Sequence, residues 1–114
     1  MIPNKELQDF ARALKQTEEY TLMIKHRSKI MSDPMTSRQM MAFEREQARL
    51  IQSNIPETDM ATRMKQLHTQ YKALMDKEDV KNFLAAAGRY QKMIADSFVA
   101  LNRALETGGQ NRQY

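Results

Sequence analysis

The chain has no cysteine and no tryptophan, and only three glycines, three prolines and two histidines in 114 residues. Without cysteine there can be no disulfide, no thiolate metal site and no cysteine nucleophile. So little glycine and proline leaves few turns for an all-β fold, and the expectation is an all-α protein. No apolar run approaches the roughly 20 residues that span a bilayer. The opening MIPNKELQDF lacks the basic start and apolar segment of a signal peptide. No membrane association is expected, and a cytoplasmic location is the default.

What is present suits a helical bundle. Apolar residues make up 41% and charged residues 28% of the chain, the balance of a folded, helix-rich protein rather than a disordered one. The length fits one domain, expected over residues 1–107, with 108–114 as a flexible tail. The formal net charge is +4, so nucleic acid has to be considered. Acidic and basic residues are interleaved throughout, however, and the densest basic segment is only KHRSK. Lys25, Arg27 and Lys29 form the one candidate phosphate-contact face, and a solvated helix surface explains them more simply. No aromatic residues interleave with them to stack on bases.

Hydrophobic periodicity predicts about four helices. Asn4 is a good N-cap, and Leu7, Phe10, Ala11 and Leu14 follow at helical spacing. Around Thr17 the pattern is compatible with a break or a continuation; Tyr20, Met23, Ile24, Ile30 and Met31 resume it, which favours one long segment ending near Ser32, with a bend. Asp33-Pro34 is a start signal, since an aspartate can accept orphan amide protons and proline needs no partner at the first helical position. Met40, Phe43, Gln47, Leu50 and Ile51 line the second helix, which QSNIP ends. The third starts near Glu57 to Asp59 and carries Met60, Met64, Leu67, Tyr71, Leu74 and Met75. Asp76 and Asp79 resemble an acidic capping box. They introduce a long last helix, about 77–106, which Gly108-Gly109 should stop.

That last helix is apolar over more than the roughly 100° that a surface helix needs. Val80, Phe83, Leu84, Ala87, Ile94, Phe98, Leu101 and Leu105 form a core stripe, and Ala86, Tyr90, Met93, Ala100 and Ala104 add a second surface. The charges Lys81, Arg89, Lys92, Asp96 and Arg103 occupy one narrow strip. Such excess apolar surface predicts pairing with another chain, most simply as a C2 homodimer. The candidate oligomer or partner interface is Phe83, Ala86, Tyr90, Met93, Ile94, Phe98 and Leu101.

The chemistry-bearing residues point away from catalysis. Ten methionines could suggest Cu(I), but Met23, Met31, Met60, Met64 and Met75 sit on apolar stripes, where flexible thioethers fill gaps between helices. Met40 and Met41 point about 100° apart, so one should face the core and the other an interface. His26 and His68 lack metal-ligand spacing. Glu44 and Glu46, like Glu18-Glu19, read as helix surface. Gly108-Gly109-Gln110 matches the GGQ tripeptide of peptide-chain release factors, yet a helix stop explains it without that context. No catalytic residue, metal, cofactor or small-molecule substrate is expected.

Four stretches together resemble the YlbF/YmcA family of small helical bacterial proteins. They are TEEY (17–20), IMSDP (30–34), MAFEREQARL (41–50) and DVKNFLAAAGRYQKMIADSFVALNRALE (79–106). The compact length is most similar to the YheA-like branch. The resemblance implies a cytoplasmic, non-enzymatic protein that associates through long helices. The better-known members act in a multiprotein complex affecting competence, sporulation and biofilm development, with a link to mRNA processing by an endoribonuclease. Those members carry C-terminal cysteines implicated in iron–sulfur binding. This chain has no cysteine, and no ligand residue carries over. The function expected is that of a regulatory or adaptor protein working by helix-mediated protein–protein interaction, with an RNA-associated protein using the basic face as the alternative.

Overall fold

A computed structural model describes residues 2–111, with side chains through Thr107. Among the described residues the chain is all-helical, with α1 Asn4–Lys15, α2 Glu18–Met31, α3 Pro34–Gln52, α4 Glu57–Gln70, α5 Lys72–Met75 and α6 Glu78–Asn111. Two of the six helices come from breaks in segments expected to be continuous.

The first break is at Thr17. Its hydroxyl donates to the Leu14 carbonyl at 2.7 Å and accepts the Tyr20 amide at 3.2 Å. One side chain thus closes α1 and caps α2, which corrects the expectation of a single helix to Ser32. The second is at Tyr71, where φ −103° and ψ 29° leave the helical region and separate α4 from α5. Neither break involves glycine or proline; the one at Thr17 is the alternative that the sequence left open, and the one at Tyr71 was not expected.

Residues 2–23 with 85–111 form one compact unit and Ile24–Leu84 another. The second unit holds nearly all of the core. Ile30, Met40, Phe43, Leu67, Leu74, Val80 and Phe83 are buried there, and Phe43 is its centre. Edge-on rings of His68 and Tyr71 meet the Phe43 ring, each with centroids 5.4 Å away, a favourable aromatic geometry. Burial raises the Tyr71 phenol above its usual pKa, and Glu46 adds to the effect.

α3 begins at Pro34 as expected, with Asp33 in extended geometry before it, but the Asp33 side chain makes no capping hydrogen bond to the helix amides. The Asp33 carboxylate accepts the hydroxyl proton of Thr36, and that bond holds its pKa below the usual carboxylate value. Thr36 is the one buried polar residue among those described, and its oxygen accepts a proton from Lys77 Nζ at 2.8 Å. Asp33, Thr36 and Lys77 therefore tie the start of α3 to the start of α6. Asp76 does not cap α6. Its carboxylate takes the Lys72 ammonium at 2.8 Å, and Lys77 supplies the first carbonyl of the helix instead. Asn4, expected as an N-cap, is already the first helical residue, with Pro3 ahead of it.

At the far end α6 runs through Gly108-Gly109 to Asn111. The glycines do not stop it, and no described glycine adopts the positive φ of a helix-terminating cap. A glycine in a helix costs about 1 kcal/mol relative to alanine, which disfavours the helix without forbidding it. The GGQ tripeptide is therefore helical backbone rather than a loop. Residues 112–114 of the expected tail lie outside the described residues.

Candidate interaction surface

In the unit of residues 2–23 and 85–111, helices meet without closing a core. Tyr20 of α2 and Tyr90 of α6 make an edge contact with centroids 5.8 Å apart. No residue of α1 is buried. Leu7 and Phe10 of α1 and Phe98, Val99, Leu101 and Leu105 of α6 all stay exposed, Phe98 at 57% and Leu101 at 53%. Between α1 and α6 lies a groove of about 480 Å³, lined by Ile2, Leu7, Phe10, Ile94, Phe98 and Leu101, with Glu6 and Ser97 as its only polar members. Isolated exposed apolar side chains are ordinary, but a contiguous set around a groove is a candidate binding surface.

The seven residues singled out on the last helix divide along its length. Phe83 and Ala86 are buried within the chain, so they are not surface for a partner. Phe83 instead underlies the Arg27 guanidinium, 5.6 Å from the ring centroid. Tyr90, Met93 and Ile94 are half-buried, and Phe98 and Leu101 are open. The surface therefore lies towards the C-terminal half of α6. Sequence reasoning missed its α1 half, because Leu7 and Phe10 at helical spacing look like an ordinary core stripe.

The basic face is not a set of three free cations. Lys25 and Lys29 are exposed, but Arg27 binds Glu44 through two hydrogen bonds of 2.8 and 3.1 Å. That bond raises the Arg27 pKa further, against a smaller desolvation effect. A guanidinium committed to a carboxylate and a ring is a structural tie between α2, α3 and the start of α6, and phosphate contact would have to break it. Glu44 is likewise a partner in this pair rather than a solvated surface residue.

The methionines separate as their geometry requires. Met40 is 1% exposed and Met41 is 50% exposed. Ser37 Oγ lies 3.2 Å from the Met31 sulfur and donates to it. His26 Nδ1 is buried without a hydrogen-bond partner among the described residues. No group of three or more His, Asp or Glu residues there could hold a metal ion, and no helix is long and apolar enough to cross a membrane.

A family model described as "Control of competence regulator ComK, YlbF/YmcA" matches residues 4–106. The chain belongs to the YlbF/YmcA family. The match runs from the first residue of α1 almost to the end of α6, so both compact units fall within it. YlbF/YmcA membership makes this a regulatory, non-enzymatic protein in general terms. No curated protein and no solved structure matches the chain.

Proposed function

We propose that this YlbF/YmcA-family protein is a cytoplasmic regulator or adaptor that self-associates and binds another protein through the apolar surface of α1 and α6. The observation that carries the reading is the open groove with Phe98 and Leu101 on one wall and Leu7 and Phe10 on the other. Covering these side chains removes apolar area from water at about 25 cal/mol per Å². Adaptable aliphatic and aromatic surfaces of this kind accept helices, because anchors at helical spacing on a partner can enter such a groove. The family description names control of a competence regulator, and for this chain we read that as regulation exerted through binding rather than chemistry. Its residues 1–107 would act as one helical domain.

Sedimentation of the full chain tests the self-association. At about tens of micromolar, where an ordinary dimer is populated, a dimer is expected. A compact monomer under those conditions removes the interface. Affinity purification at native expression, with the Phe98→Glu variant as control, then identifies the second protein. A partner retained equally by that variant binds elsewhere.

A further inference from the structure

The exposed half of α6 carries a second pattern beside its apolar residues. Gln91, Ala95, Phe98, Asn102 and Leu105 form one row at alternating spacings of four and three, and all are exposed. The next row round the helix is Lys92, Asp96, Val99, Arg103 and Glu106, also exposed. Its signs run plus, minus, neutral, plus, minus. Turned end for end about Val99, this row becomes its own complement: Lys92 falls opposite Glu106, and Asp96 opposite Arg103. The row on the other side of the apolar residues is Tyr90, Ile94, Ser97, Leu101 and Ala104, which has no charge at all.

These two rows discriminate between pairing modes. In parallel helix pairs the flank on one side faces the opposite flank of the partner, whereas in antiparallel pairs each flank faces its own copy. A parallel pair would set the charged row against an uncharged one and form no cross-helix ion pairs. An antiparallel two-fold pair gives every charge in the row one opposite partner, so that each of the two kinds of pair occurs twice. Within the single chain, Lys92 already contacts Asp96 at 3.0 Å, while no described salt bridge uses Arg103 or Glu106.

We infer that the occupant of this face is a second copy of the chain, with the two α6 helices antiparallel about Val99, Lys92 facing the partner's Glu106 and Asp96 facing the partner's Arg103. The inference rests on the self-association proposed above and adds its direction and register. Apolar contact at Phe98 and Leu105 holds the copies together, and the charged row excludes the parallel arrangement and shifted registers. A shift by one helical turn brings like charges towards each other, the usual way in which flanking charges select partner orientation.

Charge reversal and cross-linking on the full-length chain test this. At low ionic strength Lys92→Glu or Glu106→Lys alone should weaken the dimer about tenfold, because each reversal acts at two symmetric pairs of up to about 1 kcal/mol. The double variant should return to within about threefold of the parent. Failure of the double variant to recover, or single reversals without effect on an intact dimer, overturns the antiparallel register. Because the chain has no cysteine, the geometry can be read directly with a short bis-maleimide. A mixture of Lys92→Cys and Glu106→Cys chains should cross-link, and neither should cross-link alone. Self-cross-linking of Lys92→Cys indicates a parallel pair and sinks the inference while leaving self-association standing. A monomeric parent chain at about tens of micromolar sinks both.

Discussion

Residues 24–84 and the pair of segments 2–23 and 85–111 are built from the same kinds of side chain but use them differently. In the first, a phenylalanine at position 43 is 1% exposed and ringed by His68 and Tyr71. In the second, a phenylalanine at position 98 is 57% exposed at the rim of a groove. Both lie on amphipathic stripes at helical spacing. The difference is the number of elements available to cover them. Around Phe43, α3, α4 and α5 pack together, whereas α6 beyond Leu84 has only α1 and the start of α2 in its unit. A helix with apolar residues over so wide an arc, and so few neighbours, leaves part of that arc exposed.

Four measurements break or sharpen this contrast. The largest effect is expected at the closed core. Phe43→Ala should cost about 3–5 kcal/mol in denaturant unfolding, since deleting a fully buried aromatic leaves a cavity. The corresponding change in the open unit, Phe98→Glu, should cost less than about 0.5 kcal/mol in the isolated chain. It should weaken self-association by about 2 kcal/mol, the scale of an interface anchor. Circular dichroism and sedimentation on the same samples separate these effects. Equal loss of fold in both variants would erase the distinction between the two regions.

An intermediate effect belongs to the tie between Arg27 and Glu44. Both side chains are about one-third exposed, at 37% and 33%, so solvent screening limits the coupling to about 1 kcal/mol. A double-mutant cycle of Arg27→Ala and Glu44→Ala measures it, and a coupling indistinguishable from zero would show that the packing of Arg27 on Phe83 carries the contact. The smallest effect is the acid dependence of Asp33. Its folded-state pKa is lowered, first by the Thr36 hydroxyl, so it contributes stability above its ordinary value of 3.8 that disappears as pH falls through the folded value. Asp33→Asn should flatten the loss of stability below about pH 4, measured by thermal melts across pH. An unchanged acid slope would leave Asp33 with a purely geometric role at the start of α3.

The helix boundaries that could be read from sequence are those set by backbone chemistry. Pro34 fixes its own φ and lacks an amide proton, so α3 starts there in any surroundings. The break at Thr17 was legible only as an alternative to a continuous helix, and that at Tyr71 not at all, because threonine and tyrosine are compatible with helix. At Thr17 the break follows from a hydroxyl serving the end of one helix and the start of the next. The exposed apolar surface was legible as a quantity but not as a place. The width of the apolar arc on α6 announced surplus surface, but only packing showed that Phe83 and Ala86 are buried and Phe98 and Leu101 are not. The exposure of Leu7 and Phe10 was invisible for the same reason.

By itself, the sequence determined an all-helical chain without cysteine chemistry, the start of α3, the divergence of Met40 and Met41, and membership of a helical regulatory family. The first three follow from composition, 3.6-residue periodicity and the geometry of single residues, all of which are local, whereas the family rests on similarity over residues 4–106. Only the tertiary structure decided that Arg27 belongs to Glu44 and Phe83 rather than to a basic surface, and that the open apolar face lies between α1 and the distal half of α6. A stripe of apolar residues specifies that something must cover it. Which residues are covered from within the chain depends on how many helices reach each part of the stripe, and that is a property of the packed fold.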